Sequence, residues 1–171
     1  MDILLTGATG FVGTEIYAQL IHEDHAVLAA VRADSTNDKF VNMTTVGNIN
    51  PTTNWSPVLP DVSIVIHSAA RAHVMNDNAS NPLELFREVN TLGTLNLARQ
   101  AATAGVERFI FISSIKVSGE STDLQNPFKY SDEPSPEDPY GISKFEAEEG
   151  LKKIAVETGM EVVIIRPTLV Y

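Results

Sequence analysis

Short apolar runs rich in β-branched residues recur along this chain, separated by longer stretches of helical period. Ile3 to Leu5, Ala26 to Val31, Met43 to Val46, Ser63 to His67, Arg108 to Ile112 and Glu161 to Ile165 read as six strands. Ile64, Val65 and Ile66 are apolar in succession rather than in alternation, the pattern of a strand buried on both faces, as in a parallel sheet. Phe11 to about Ile21, Pro82 to Ala104 and Tyr140 to Thr158 read as helices. Pro82 stands near the first turn of the second helix, Gly105 lies just beyond its end, and Gly159 closes the third. Strands alternating with helices predict an α/β fold, a doubly wound parallel sheet of the Rossmann type. The 171 residues are enough for one such domain with a proper core. A polar, Pro-rich loop spans Glu120 to Asp138, and its acidic part from Ser131 reads as a solvated lead-in to the last helix.

Gly7, Gly10 and Gly13 lie between the first strand and the first helix, spaced G-x-x-G-x-x-G. This is one residue longer than the commonest dinucleotide pattern. Glycine there permits a sharp turn and close approach of a pyrophosphate to the backbone, at the positive end of the helix. A dinucleotide cofactor is therefore expected. The second strand ends Ala30-Val31-Arg32, without the acid that binds the 2′-hydroxyl of NAD. Arg32 suits the 2′-phosphate of NADP, so NADP is favoured over NAD.

Tyr140 and Lys144 stand four residues apart and so share one helix face. A phenol titrates near pH 10, too high for a base at neutral pH. A nearby ammonium and the positive nicotinamide of an oxidised cofactor are expected to lower that value. Lys144 is also expected to hold the nicotinamide ribose. Ser114, at the carboxyl end of the fifth strand, is placed to orient a substrate oxygen, because ligands of doubly wound sheets bind outside the carboxyl ends of the strands. Ser114, Tyr140 and Lys144 are the expected catalytic residues.

Composition excludes several classes of function. Net charge is −10 and the pI is near 4.7, so no basic surface offers itself to nucleic acid. The chain has no cysteine, which removes disulfides, thiolate catalysis and cysteine-ligated zinc. No basic leader or long apolar run marks a signal peptide or membrane span, so a cytoplasmic protein is expected. His22 and His25 lack a carboxylate partner pattern. They, with His67 and His73, read as surface or cofactor-lining residues rather than metal ligands.

At these residues the chain resembles the extended short-chain dehydrogenase/reductase superfamily, in its NAD(P)-dependent sugar epimerase/dehydratase branch, over essentially its whole length. Thr6 to Gly13 is similar to the family's cofactor turn, which adds Thr9, Phe11 and Val12 to the glycines. His67 to Arg71 resembles its H-x-A-A segment, implying that Ala69, Ala70 and Arg71 line the cofactor. Asn90 sits where the family often has Asn. Asn48-Ile49 falls at its adenine contact, with Asn48 in place of the usual Asp. Phe111 to Ser114 with Val117 to Gly119, Pro139 to Lys144, and Arg166-Pro167 match its remaining motifs.

Within the branch the chain looks most like enzymes similar to UDP-glucose 4-epimerase and related C4 ketoreductases of nucleotide-activated amino sugars. The resemblance implies hydride transfer at C4 of a nucleotide-sugar, a UDP-sugar in particular, with proton exchange at Tyr140. It also implies a homodimer built through the long helix and the Tyr140 helix. The same Val-Arg strand ending occurs in dihydroflavonol-reductase-like enzymes, and a non-catalytic dinucleotide sensor is the remaining alternative. The chain stops within the apolar run Arg166 to Tyr171, so an amino-terminal piece lacking the substrate-gripping part is expected.

Overall fold

The computed structural model describes residues 2–32, 40–72, 81–122, 125–168 and 170. Its six strands are β1 (Asp2–Thr6), β2 (Ala26–Val31), β3 (Met43–Thr45), β4 (Val62–His67), β5 (Arg108–Ile112) and β6 (Glu161–Ile165). They form one parallel sheet in the order β3-β2-β1-β4-β5-β6. This is the doubly wound order, with the crevice opening where the order reverses between β1 and β4.

Alternation along each strand divides the core between the two faces of the sheet. Ile3 and Leu5 of β1 join Val27, Ala29, Val31 and Ile66 in a cluster with Tyr17 of α1 (Phe11–His22). Leu4, Val65, Phe109 and Phe111 point to the opposite face. There α3 (Thr94–Thr103) and α4 (Pro139–Thr158) cover them with Leu97, Ala98, Ala101, Ala147, Leu151 and Ile154. Truncating a buried aromatic such as Phe111 typically costs about 3–5 kcal/mol, so these layers fix the strand ends firmly.

The helix expected over Pro82 to Ala104 is interrupted. It begins as α2 (Pro82–Phe86), widens into a π-helical segment (Arg87–Gly93), and resumes as α3. Hydrophobic period cannot reveal this widening, because the tertiary partners decide it. Asn90 and Thr91 in the widened segment both bond α4. Gly93 packs so closely on Ile49 that a Cβ there would lie 2.8 Å from Ile49 Cγ2.

Candidate active site

Three glycines shape the turn after β1, each for a different reason. Gly7 has φ +74, and a Cβ on it would stand 2.5 Å from the Ala69 amide nitrogen, so only glycine lets the ends of β1 and β4 meet. A Cβ on Gly13 would lie 2.0 Å from the Gly7 carbonyl oxygen, so that residue seats α1 on the turn. Gly10 is different: its Cβ would meet one atom, the Gly7 oxygen at 3.3 Å, and otherwise open space. Local packing therefore does not demand glycine at Gly10. Gly10 is also the N-cap of α1 and provides no side-chain hydrogen bond to the first-turn amides. An uncapped helix N-terminus behind a bare backbone fits an anionic diphosphate. Thr9 and Gly10 are exposed, Val12 is half-buried, and Phe11 stands 70% exposed at the mouth.

The sheet register lines up the next layer. Thr6 pairs with His67, and His67 with Phe111. Thr6 Oγ1 lies 2.7 Å from His67 Nδ1 and accepts from the Ala69 amide at 3.3 Å, while His67 Nε2 lies 2.9 Å from Thr94 Oγ1. With Ala69 already donating to it, the Thr6 hydroxyl is free to give its proton to Nδ1, leaving the Nε2–H of a neutral ring for Thr94. Thus His67, expected to be surface or cofactor-lining, is instead a fully buried tie between β1, β4 and α3. His22 and His25 are exposed, as expected, and His73 lies outside the described residues.

Burial, then the charge of Lys144, holds the His67 imidazole down at about 3. The folded chain therefore resists the proton that the unfolded chain accepts near 6.5. The sign follows from that depression: the contribution of His67 is complete above pH 6.5 and is lost as pH falls toward 3. Stability should decrease by ~1.4 kcal/mol per pH unit over that window, or ~2 kcal/mol from pH 6.5 to 5. Urea unfolding at those two pH values, compared with a His67→Gln variant, checks this. An equally steep loss in the variant would assign the slope elsewhere.

Lys144 is 1% exposed, and its Nζ lies 4.0 Å from the centre of the Phe111 ring. Burial lowers it to about 7, against the opposing pull of Glu148 one turn along α4. Glu148 is itself buried. It accepts from Ser113 Oγ at 2.5 Å and from Arg166 at 3.0 and 2.6 Å, and Arg166 also donates to Ser118 Oγ at 3.2 Å. This network ties the ends of β5 and β6 to α4. The spacing of Lys144 and Glu148 was a usable sequence signal for it, since positions i and i+4 share a face.

Tyr140 lies in the first turn of α4, with its ring edge-on to Phe86 at 6.2 Å. Arg71 covers the Phe86 ring at 5.6 Å. Asn90 fixes this corner: it accepts from the Arg71 amide at 2.8 Å and donates to the Arg71 carbonyl and to Ser143 Oγ, both at 3.0 Å. Both of its amide hydrogens are thus engaged, and Asn90 tethers the segment after β4 to α4 rather than offering a donor to a ligand.

Ser114 caps a 3-10 turn (Ile115–Val117), accepting from the Lys116 amide at 3.2 Å, and its side chain stands near the Tyr140 phenol. The charges around Tyr140 differ from expectation. Desolvation and then Asp138 push the phenol up, while the Ser114 hydrogen bond and the charge of Lys116 pull it down. The Lys144 ammonium rests over the Phe111 ring.

The other expected positions flank this centre along the same edge of the sheet. Ala69 is half-buried and Ala70 exposed after β4. Pro167, after β6, accepts from the Ile115 amide at 3.0 Å, beside the Ser114 turn. Arg32 is exposed at the end of β2. Asn48 is exposed beyond β3, its carbonyl accepting from Thr53 Oγ1 at 2.9 Å, while the Ile49 side chain is spent on the core. Sequence reasoning missed Phe86, Lys116 and Asp138. Asp138 before Pro139 was legible as an N-cap, and its Oδ1 accepts from the Gly141 amide at 2.5 Å.

Comparison with known proteins agrees with this architecture. A UDP-glucose 4-epimerase from Vibrio cholerae is 54% identical over 171 residues, covering 99% of this chain and 52% of that protein. An N-acetyl-alpha-D-glucosaminyl-diphospho-ditrans,octacis-undecaprenol 4-epimerase from Escherichia coli O157:H7 is 32% identical over 176 residues, covering 99% and 49%. Among solved structures, UDP-glucose 4-epimerase from Thermotoga maritima with UDP-glucose superposes with a TM-score of 0.81 at 27% identity, covering 97% of this chain and 55% of that one. The Thermus thermophilus UDP-glucose 4-epimerase complex with NAD gives 0.81 at 25% identity, covering 97% and 54%. The chain thus spans about half the length of the relatives it matches. Among the described residues no helix is long and apolar enough to cross a membrane. The sequence profile of the NAD dependent epimerase/dehydratase family matches residues 3–171, and with the glycine turn, the strand order and these relatives it establishes that the chain belongs to that family.

Proposed function

We propose that this chain is the dinucleotide-binding part of an epimerase that inverts C4 of a UDP-sugar. The observation that carries the proposal is the placing of Tyr140 beside Ser114 past the carboxyl end of β5, with Lys144 one turn further along α4, in a sheet whose first turn is the uncapped glycine turn. The similarity to a UDP-glucose 4-epimerase at 54% identity favours this reading over a small-ketone reductase or a non-catalytic sensor.

The amides at the start of α1 would hold the diphosphate, and Lys144, buried over Phe111, would reach the nicotinamide ribose only by leaving that ring. When bound, the dinucleotide supplies the acceptor and donor of the hydride. Ser114 orients the C4 hydroxyl by a hydrogen bond. Tyr140, as phenolate, takes the proton of that hydroxyl as C4 becomes a ketone and returns it when the other face of C4 is reduced. No net proton or electron is consumed, as isomerisation requires. The decisive assay offers UDP-glucose, with NAD⁺ and with NADP⁺, to the whole enzyme that carries this dinucleotide-binding part, and follows UDP-galactose by NMR. A sugar left unchanged would refute the epimerase reading, and conversion to a reduced or dehydrated product would replace it.

Arg32 decides the dinucleotide within this proposal. Its exposed guanidinium at the end of β2 favours a 2′-phosphate, whereas the Thermus structure carries NAD. Arg32→Glu is expected to move relative affinity from NADP⁺ towards NAD⁺ by about tenfold or more, since a hydrogen bond to a charged group is worth about 1.5–3 kcal/mol. Side-by-side calorimetric titrations read that ratio, and an unchanged ratio removes Arg32 from cofactor selection.

A further inference from the structure

We propose that Lys116 is a positioning residue for Tyr140: its ammonium, held between Asp138 and Glu120, fastens the turn carrying Ser114 to the first turn of α4 and sets the charge on the polar side of the phenol. The inference rests on the reading of Tyr140 as the proton-exchanging group.

Lys116 Nζ lies 2.6 Å from Asp138 Oδ2 and 2.9 and 3.0 Å from the two Glu120 carboxylate oxygens. The Lys116 amide donates to Ser114 Oγ, so backbone and side chain of this one residue join the two hydroxyl-bearing elements. The other oxygen of Asp138 caps α4 at Gly141, and a Cβ on Gly141 would stand 2.9 Å from the Lys116 carbonyl. The first turn of α4 is therefore seated directly on the Lys116 backbone. An exposed ion pair is worth little to stability. This one is a three-member network whose acid also caps the helix bearing Tyr140, and its effect is felt by the phenol rather than by the fold.

The charged groups around Tyr140 make the role specific. Asp138, the N-cap of α4 two residues before Tyr140, opposes a phenolate, and Lys116 both neutralises that carboxylate and favours the phenolate. Glu120, beyond the Ser114 turn, reaches the site through Lys116. Arg71, after β4, lies across the Phe86 ring, and Lys144 is turned to Phe111. Without Lys116, the nearest acid would act on Tyr140 uncompensated.

Ultraviolet titration of the phenolate tests this without relying on activity. Each protein is compared with its own Tyr140→Phe counterpart, which isolates Tyr140 from the other three tyrosines. Lys116→Met should move the Tyr140 midpoint to higher pH, Lys116→Arg should restore it, and Asp138→Asn should move it to lower pH. A folded Lys116→Met protein with an unshifted midpoint, or Lys116→Arg shifted as far as Lys116→Met, overturns the proposal. If Lys116→Met does not fold, Asp138→Asn decides, because its amide oxygen retains the cap, and an unshifted midpoint there is equally fatal. In the active protein, kcat/KM at pH 7 should fall about tenfold in Lys116→Met, the effect of about one unit on a titrating group beside a charge. Failure of the unaltered protein to epimerise would refute the proposed function while leaving the titration result standing.

Discussion

Replacing Tyr140 by phenylalanine is expected to lower turnover by about 10²–10⁴-fold, the span of a lost general acid/base, while leaving affinity for the dinucleotide nearly intact. The separation follows from the geometry. The Tyr140 ring packs against Phe86, and phenylalanine keeps that contact. What disappears is the hydroxyl beside Ser114, near the charges of Asp138 and Lys116. The α1 turn, which would hold the diphosphate, makes no use of the phenol. Parallel measurements of kcat on a UDP-sugar and of Kd by calorimetry separate the two effects. A large loss of affinity would show that Tyr140 holds the cofactor rather than the substrate proton.

Gly10→Val and Gly13→Ala, although in one motif, are expected to fail in opposite ways. A valine at Gly10 finds open space and extended backbone, φ −83 and ψ 169, that it readily adopts. The fold should survive, with its thermal transition nearly unmoved. The dinucleotide should lose affinity by about fivefold to more than a hundredfold, as an overpacking cost of about 1–3 kcal/mol in the bound state implies. An alanine at Gly13 places its methyl carbon 2.0 Å from the Gly7 carbonyl oxygen. Backbone cannot yield there without lifting α1 off the sheet, so about 1–3 kcal/mol or more of stability should go before any ligand is added. Thermal unfolding with and without dinucleotide distinguishes the two. Undiminished binding by Gly10→Val would mean that the open space beside Gly10 is not where the diphosphate lies.

The parts of this protein set by local chemistry were legible in its sequence. Short β-branched runs such as Ile64 to Ile66 read as strands covered on both faces, and alternation of strands with helical segments leaves few arrangements besides a parallel sheet. The glycine spacing marked the turn, and the interval between Tyr140 and Lys144 put both residues on one helix. Tertiary structure decided what those side chains meet. Register across β1, β4 and β5 aligned Thr6, His67 and Phe111, which fully buried a histidine expected at the surface or lining the cofactor and gave the Lys144 ammonium a ring to rest on. Packing against α4 widened the helix at Asn90 and spent its amide on Arg71 and Ser143. Contact between the Ser114 turn and the α4 cap brought Lys116 and Asp138, distant from each other in sequence, to the side of Tyr140. Periodicity and spacing are properties of one segment and are written in its residues. Burial, register and the field at a phenol are sums over segments distant in sequence, and they exist only once the sheet has brought those segments together.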